Sequence, residues 1–213
     1  MHSALMKLGT QTRKLLSQHW PLLVVVLPCL LLACGGDALR LPLRYDRTAI
    51  LHGQVWRLVT GNFVHLGPGH LLEDMAGTVL LWLLFADVLP GWRMPFTVLV
   101  GSIAVGIGLL LGDPGLEWYV GISGALDTLW AAGALGLILR RDRFGWVLVG
   151  FLLLKLAYEQ LFGPLPFSTA SSGGTVIVDA HLYGALAGAL LGFGRGLPWD
   201  RIMRGFTQSG VRS

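Results

Sequence analysis

The chain has few charged residues and few cysteines for its length. Of its 213 residues, 13% are Asp, Glu, Lys or Arg, whereas 54% are hydrophobic and 30 are glycine. A water-soluble domain has about 25% charged residues, so this composition indicates a polytopic membrane protein. The two cysteines, Cys29 and Cys34, lie in one apolar segment and provide no disulfide framework.

The sequence also lacks the patterns expected of a nucleic-acid-binding protein or a zinc enzyme. Its net charge is +4, but no soluble module combines a basic face with base-stacking aromatic side chains. His65, His70 and Asp74 are of metal-ligating types, yet no HExxH motif or comparable spacing joins them. We therefore expect no nucleic-acid partner, no metal and no organic cofactor.

Six apolar runs account for most of the chain. Each is long enough to cross about 30 Å of hydrocarbon as a helix. They lie near residues 19–35, 70–89, 94–112, 123–139, 144–162 and 178–194. Apart from an outer loop at 36–69, the connections are short. The sequence therefore predicts an all-α bundle of six transmembrane helices that forms a single domain over residues 1–213.

The distribution of Lys and Arg predicts the orientation of the helices. With the N-terminus in the cytoplasm, 11 of the 16 Lys and Arg residues lie in the termini or in the cytoplasmic turns. Because cytoplasmic segments are enriched in these residues, we expect both termini inside and the loop 36–69 outside. Leu31–Cys34 offers an alternative, since it resembles a lipoprotein signal that ends at a lipidated cysteine; processing there would leave five helices.

Ser123 and His181 are polar residues at the outer ends of two predicted helices. Ser123 belongs to a GxSG sequence that begins at Gly121, and His181 opens the last helix. Polar groups at membrane depth are costly, and a hydroxyl with an imidazole can form a nucleophile and its base. An alternative is a polar pair that holds two helices together. Three glycines of the last helix form a stripe that permits close packing on helix 123–139: Gly184, Gly188 and Gly192.

A third group of residues runs from the outer loop into the second helix. It consists of the pair Trp56-Arg57, followed by His65, His70 and Asp74. Because residues four apart share a helix face, His70 and Asp74 are expected to point the same way at the outer boundary.

Together these segments resemble the rhomboid family of intramembrane serine proteases, from about residue 55 to 194. Trp-Arg, His-x4-His, GxSG and AHxxGxxxG occur in family order. The resemblance implies that Ser123 attacks the scissile carbonyl, that His181 is its general base and that His70 helps to bind the oxyanion. We group Gly121, His65 and Asp74 with His70 as residues that support the site.

The short chain and the run VDAHLYGALAGALLG are most similar to the rhombosortase branch. That branch is associated with processing of C-terminal Gly-Gly-type membrane anchors of exported bacterial proteins. The resemblance implies membrane-anchored protein substrates in the lipid bilayer of a bacterial inner membrane, with the site open to the periplasmic side. It gives no oligomeric state. The alternatives are a catalytically inactive rhomboid-like protein that binds membrane clients, and a small transporter, for which the expected repeats are not found.

Four charged residues depart from the common rhomboid pattern or lie within predicted helices. Asp74 occupies the position of an oxyanion-donating asparagine, so it is either protonated or pairs with His70. Asp127, one turn below Ser123, either orients His181 or bonds a neighbouring helix. Lys155 and Glu159 are predicted to form a structural i, i+4 pair. The alternative is a role in substrate entry, because the fifth helix is considered the lateral gate in rhomboids. The segment 163–177 is predicted to cap the site as a flexible outer loop.

Overall fold

The computed structural model describes residues 19–166, 168 and 173–194. Six long helices lie at the six predicted positions: α1 (His19–Cys34), α5 (Pro68–Phe85), α6 (Arg93–Gly112), α7 (Ser123–Leu139), α8 (Phe144–Phe162) and α9 (Val178–Phe193). Shorter elements fill the outer loop: α2 (Gly36–Leu43), β1 (Tyr45–Asp46), α3 (Arg47–Leu51), α4 (Arg57–Thr60) and a 3₁₀ turn (Gly61–Phe63). Both termini, on which the predicted orientation depends, and part of the predicted capping loop lie outside the described residues.

Two of the described helices, α6 and α8, are long and apolar enough to cross a membrane. α1 and α2 together would make a third, but the chain bends by 118° between them. α7 and α9 are apolar but contain only 17 and 16 residues, and α5 carries His70, Glu73 and Asp74 within 18 residues. The helices are those of a helical membrane protein, while the prediction of six complete spans is not confirmed.

The 36–69 loop is folded against the helices. β1 pairs antiparallel with β2 (Trp118–Tyr119), a small sheet that the all-α prediction did not include. Arg57 is buried and donates hydrogen bonds from Nη1 to the carbonyl oxygens of Leu41 (3.0 Å) and Arg44 (2.9 Å). Because the guanidinium presents several donors in a fixed plane, it can hold two turns of the loop at once.

α7 and α9 run parallel with their backbones in close contact. A Cβ atom added at Gly184 would collide with the carbonyl oxygen of Gly124, and one at Gly188 would collide with that of Thr128. Thr128 Oγ1 also donates a hydrogen bond to the carbonyl oxygen of Gly184 at 2.8 Å. The close approach that the glycine spacing predicts brings the N-terminal ends of the two helices together.

Candidate active site

Ser123 and His181 lie side by side at the N-terminal ends of α7 and α9. Ser123 is the first residue of α7, and His181 lies in the first turn of α9. His181 Nε2 is 2.9 Å from Ser123 Oγ, which is hydrogen-bond distance for a nucleophile and its base. Since the two residues are 58 positions apart, the packing of α7 on α9 sets this distance.

The other ring nitrogen of His181 contacts Glu159 of α8. His181 Nδ1 lies 2.9 Å from Glu159 Oε2, and both side chains are buried. An ionised carboxylate can only accept, so this contact favours the tautomer with the proton on Nδ1. Nε2 is then left as an acceptor for the Ser123 hydroxyl. Hydrogen bonds therefore connect the Ser123 hydroxyl to the His181 imidazole and the imidazole to the Glu159 carboxylate.

Lys155 joins Glu159 to Asp127. Its Nζ lies 2.9 Å from Glu159 Oε2 and 2.7 Å from Asp127 Oδ2. The predicted pair of Lys155 and Glu159 is present, and Glu159 also contacts His181. Of the two hypotheses for Asp127, the contact with Lys155 favours a bond to a neighbouring helix over orientation of His181. The Asp127 carboxylate is turned to the Lys155 ammonium, whereas α8 brings Glu159 to Nδ1.

The Rhomboid domain family model matches residues 52–197. The chain belongs to the rhomboid family. Rhomboid-related protein 2 of Mus musculus is similar, with 26% identity over 145 residues that make up 66% of this chain and 48% of that protein. The chain thus spans about half the length of this curated relative.

In this rhomboid, Asp74 is surrounded by hydrogen-bond donors. Its Oδ2 accepts a hydrogen bond from the backbone N–H of Ile122 at 3.2 Å. The same oxygen lies 3.1 Å from His65 Nε2 and 3.3 Å from His70 Nε2. An oxygen that faces three nitrogen atoms acts as an acceptor. Of the two hypotheses for Asp74, these contacts favour pairing with His70 over a protonated carboxyl that donates to the oxyanion.

Gly121 has a conformation and surroundings that exclude a side chain. Its φ of +117° is unfavourable for L residues, and an added Cβ would lie 2.7 Å from His70 Nε2. Tyr119 donates a hydrogen bond from its hydroxyl to the Gly121 carbonyl oxygen at 2.6 Å. Burial raises the pKa of the Tyr119 phenol, so this donor remains protonated. The backbone just before Ser123 is therefore held firmly in place.

Two cavities of this rhomboid meet at Ser123. One of about 220 Å³ is lined by His70, Trp118, Tyr119 and Ser123, among others. The second, of about 320 Å³, contains Ser123 and His181 together with the charged group of Asp127, Lys155 and Glu159. His65, which was grouped with His70 as a residue that supports the site, borders a separate cavity of about 290 Å³ beside the outer loop.

A group of metal-ligating atoms occurs at the base of the site. Among the described residues, Asp127, Glu159 and His181 place one ligand atom each within 4.8 Å of the others. The Lys155 ammonium already lies between the two carboxylates. In this rhomboid, both carboxylates of the group are thus paired with a cationic side chain.

Glu159 is the residue of this site that sequence reasoning missed. Its i, i+4 spacing to Lys155 satisfies both charges within α8, so the sequence offers no reason to seek a further contact. Only the packing of α8 beside α7 and α9 reveals that His181 shares the same carboxylate oxygen. The one available signal was a buried charge pair at the level of the predicted serine and histidine.

Proposed function

We propose that this rhomboid is an intramembrane serine protease in which Ser123 is the nucleophile and His181 the general base. The observation that carries the proposal is the 2.9 Å distance between Ser123 Oγ and His181 Nε2. The buried imidazole is held by helix packing, as preorganised general-base catalysis requires. Family membership supports the same reaction class.

The reaction follows from these contacts. Ser123 Oγ attacks the carbonyl carbon of the scissile peptide bond while its proton passes to His181 Nε2. When the tetrahedral intermediate collapses, Nε2 returns that proton to the leaving amine. Water then attacks the acyl-enzyme with the same nitrogen as its base, which releases the second product and restores the serine.

Negative charge on the substrate oxygen is stabilised by donors around Ser123. α7 begins at Ser123 without a side-chain cap, so its first N–H groups have no acceptor within the helix. A helix N-terminus also favours negative charge. His70 lines both cavities beside Ser123, and in this scheme the N–H at its Nε2, which lies 3.3 Å from Asp74 Oδ2, is shared with the substrate oxygen. Asp74 acts indirectly in this scheme, by holding His70 and the Ile122 N–H.

The substrate and the membrane arrangement form the finer part of the proposal. The substrates are membrane-anchored exported proteins with a C-terminal Gly-Gly-type anchor, as in the rhombosortase branch. The protein lies in a bacterial inner membrane with six spans and both termini in the cytoplasm, and the cleaved bond lies near the periplasmic face. The AHxxGxxxG run and the Lys and Arg distribution support this arrangement.

Co-expression with an anchored reporter tests the substrate class. A periplasmic reporter with a Gly-Gly-containing anchor should be released in the presence of the intact protein and retained in the presence of the Ser123→Ala variant. A reporter whose Gly-Gly pair is replaced should remain anchored in both strains. Ser123-dependent release of both reporters would contradict the anchor specificity but not the protease. If no anchored reporter is cleaved, the client-binding alternative replaces the protease.

A further inference from the structure

We infer that Glu159 is a positioning residue of this site, so that Ser123, His181 and Glu159 form a triad. The inference rests on the proposed protease function and extends it to α8. Glu159 is only 2% exposed. Its Oε2 accepts from His181 Nδ1 at 2.9 Å, while the opposite ring nitrogen lies 2.9 Å from Ser123 Oγ. A carboxylate here fixes both the tautomer and the orientation of the imidazole.

The charges of the neighbouring residues are consistent with this role. The charged groups that face His181 are Glu159 and Lys155 on α8 and Asp127 on α7. With neutral His181 the three ionised groups carry a net charge of −1. When His181 accepts the serine proton, the whole group becomes neutral. Because this buried cluster has no net charge once His181 is protonated, it favours the formation of the imidazolium.

Lys155 and Asp127 hold Glu159 rather than compete with His181 for it. The Lys155 ammonium contacts the same Oε2 atom that faces His181, and Asp127 contacts the other side of that ammonium. The carboxylate is thereby fixed from two directions. Asp127, which would be the third member of the triad by its position below Ser123, instead acts one contact further away.

The proton transfer requires no protonation of Glu159. The Ser123 proton moves to Nε2 as the Oγ–C bond forms and the carbonyl electrons move to oxygen. The Nδ1 proton stays on the ring and remains donated to Glu159 Oε2. On collapse the C–N bond breaks, and the leaving nitrogen takes the proton from Nε2.

A variant series in the full-length protein tests this role. Glu159→Gln and Glu159→Leu remove the charge, whereas Glu159→Asp retains it. Asp142→Asn is the control, because Asp142 lies in the turn between α7 and α8, outside both cavities, and accepts a hydrogen bond from the Phe144 N–H. We expect Glu159→Gln and Glu159→Leu to lower kcat by ~10²-fold or more with KM nearly unchanged. Glu159→Asp should recover part of the loss, and Asp142→Asn should match the wild type.

A purely structural Glu159 predicts a different result. In that case thermal stability in detergent would fall in Glu159→Leu, while the folded fraction would keep the wild-type kcat. Equal kcat values for Glu159→Gln and Asp142→Asn would overturn the inference. The protease function would still stand if wild-type cleavage depended on Ser123.

A spectroscopic measurement tests the inference without a cleavage assay. The ¹⁵N signals of His181, identified by their loss in His181→Ala, report which ring nitrogen carries the proton. We expect Nδ1 to be protonated in the wild type and in Asp142→Asn, and this preference to be lost in Glu159→Leu. An unchanged tautomer in Glu159→Leu would contradict the inference. Absence of Ser123-dependent cleavage in the wild type would instead refute the proposed function.

Discussion

Gly184 of α9 lies directly against Gly124 of α7, so that no side chain fits between the two backbones. Gly124 follows Ser123, and Gly184 lies three residues after His181. The same contact therefore determines both the packing of the helices and the distance between the serine and the histidine.

Replacing Gly184 with alanine should damage stability and activity together. The added methyl group would collide with the Gly124 carbonyl oxygen and would lie 3.2 Å from Thr128 Oγ1. Overpacking of this kind costs about 1–3 kcal/mol. Thermal unfolding in detergent and reporter cleavage measure the two effects. Gly150→Ala is the control, since an added Cβ there meets nothing within 4 Å; equal behaviour of the two variants would contradict the packing account.

Gly121→Ala should lower activity more than a glycine substitution that introduces backbone strain alone. Gly121 combines a φ of +117° with a Cβ position 2.7 Å from His70 Nε2. Gly163 has a φ of +85° but open space around it. We expect both alanine variants to lose stability, and only Gly121→Ala to lose most of its cleavage rate per folded molecule. Full activity in Gly121→Ala would show that the position of His70 is not critical.

Asp74→Asn should lower both the stability and the cleavage activity of the protein, although asparagine is the more common residue at this position in rhomboids. The carboxylate of Asp74 faces two imidazoles and the Ile122 N–H. Removing one charge of a buried pair costs about 3–5 kcal/mol when the other remains charged, and His70 would lose the group that orients it. Cleavage assays across pH together with thermal unfolding test this expectation. Preserved or improved activity would instead support a protonated Asp74 that donates to the oxyanion.

The positions of the helices and of the Ser123–His181 pair could be predicted from the sequence. Apolar length alone places six helices close to their observed bounds, because a lipid environment requires long apolar runs. The glycine spacing in the last helix predicts a close neighbour, and the GxSG motif identifies which helix it is. Ser123 and His181 could thus be paired before any distance was known.

The role of Glu159 and the detailed contacts of Asp74 could not be predicted in this way. Both depend on how helices distant in sequence rotate against each other, which periodicity does not specify. Lys155 and Glu159 neutralise each other's charge within one helix turn, so nothing in the sequence indicated that Glu159 also contacts His181. The strand pair of β1 and β2 is only two residues long on each side, too short to produce an alternating pattern.

The most direct test of the central claim is cleavage of an anchored reporter by purified protein in lipid vesicles. Ser123→Ala and His181→Ala should each abolish cleavage while the protein remains folded. Ser102→Ala is the matched control, because its buried hydroxyl donates a hydrogen bond to the Val98 carbonyl oxygen within α6, away from both cavities. The account predicts near wild-type cleavage for Ser102→Ala and none for Ser123→Ala. Equal cleavage by the wild type and folded Ser123→Ala would contradict it.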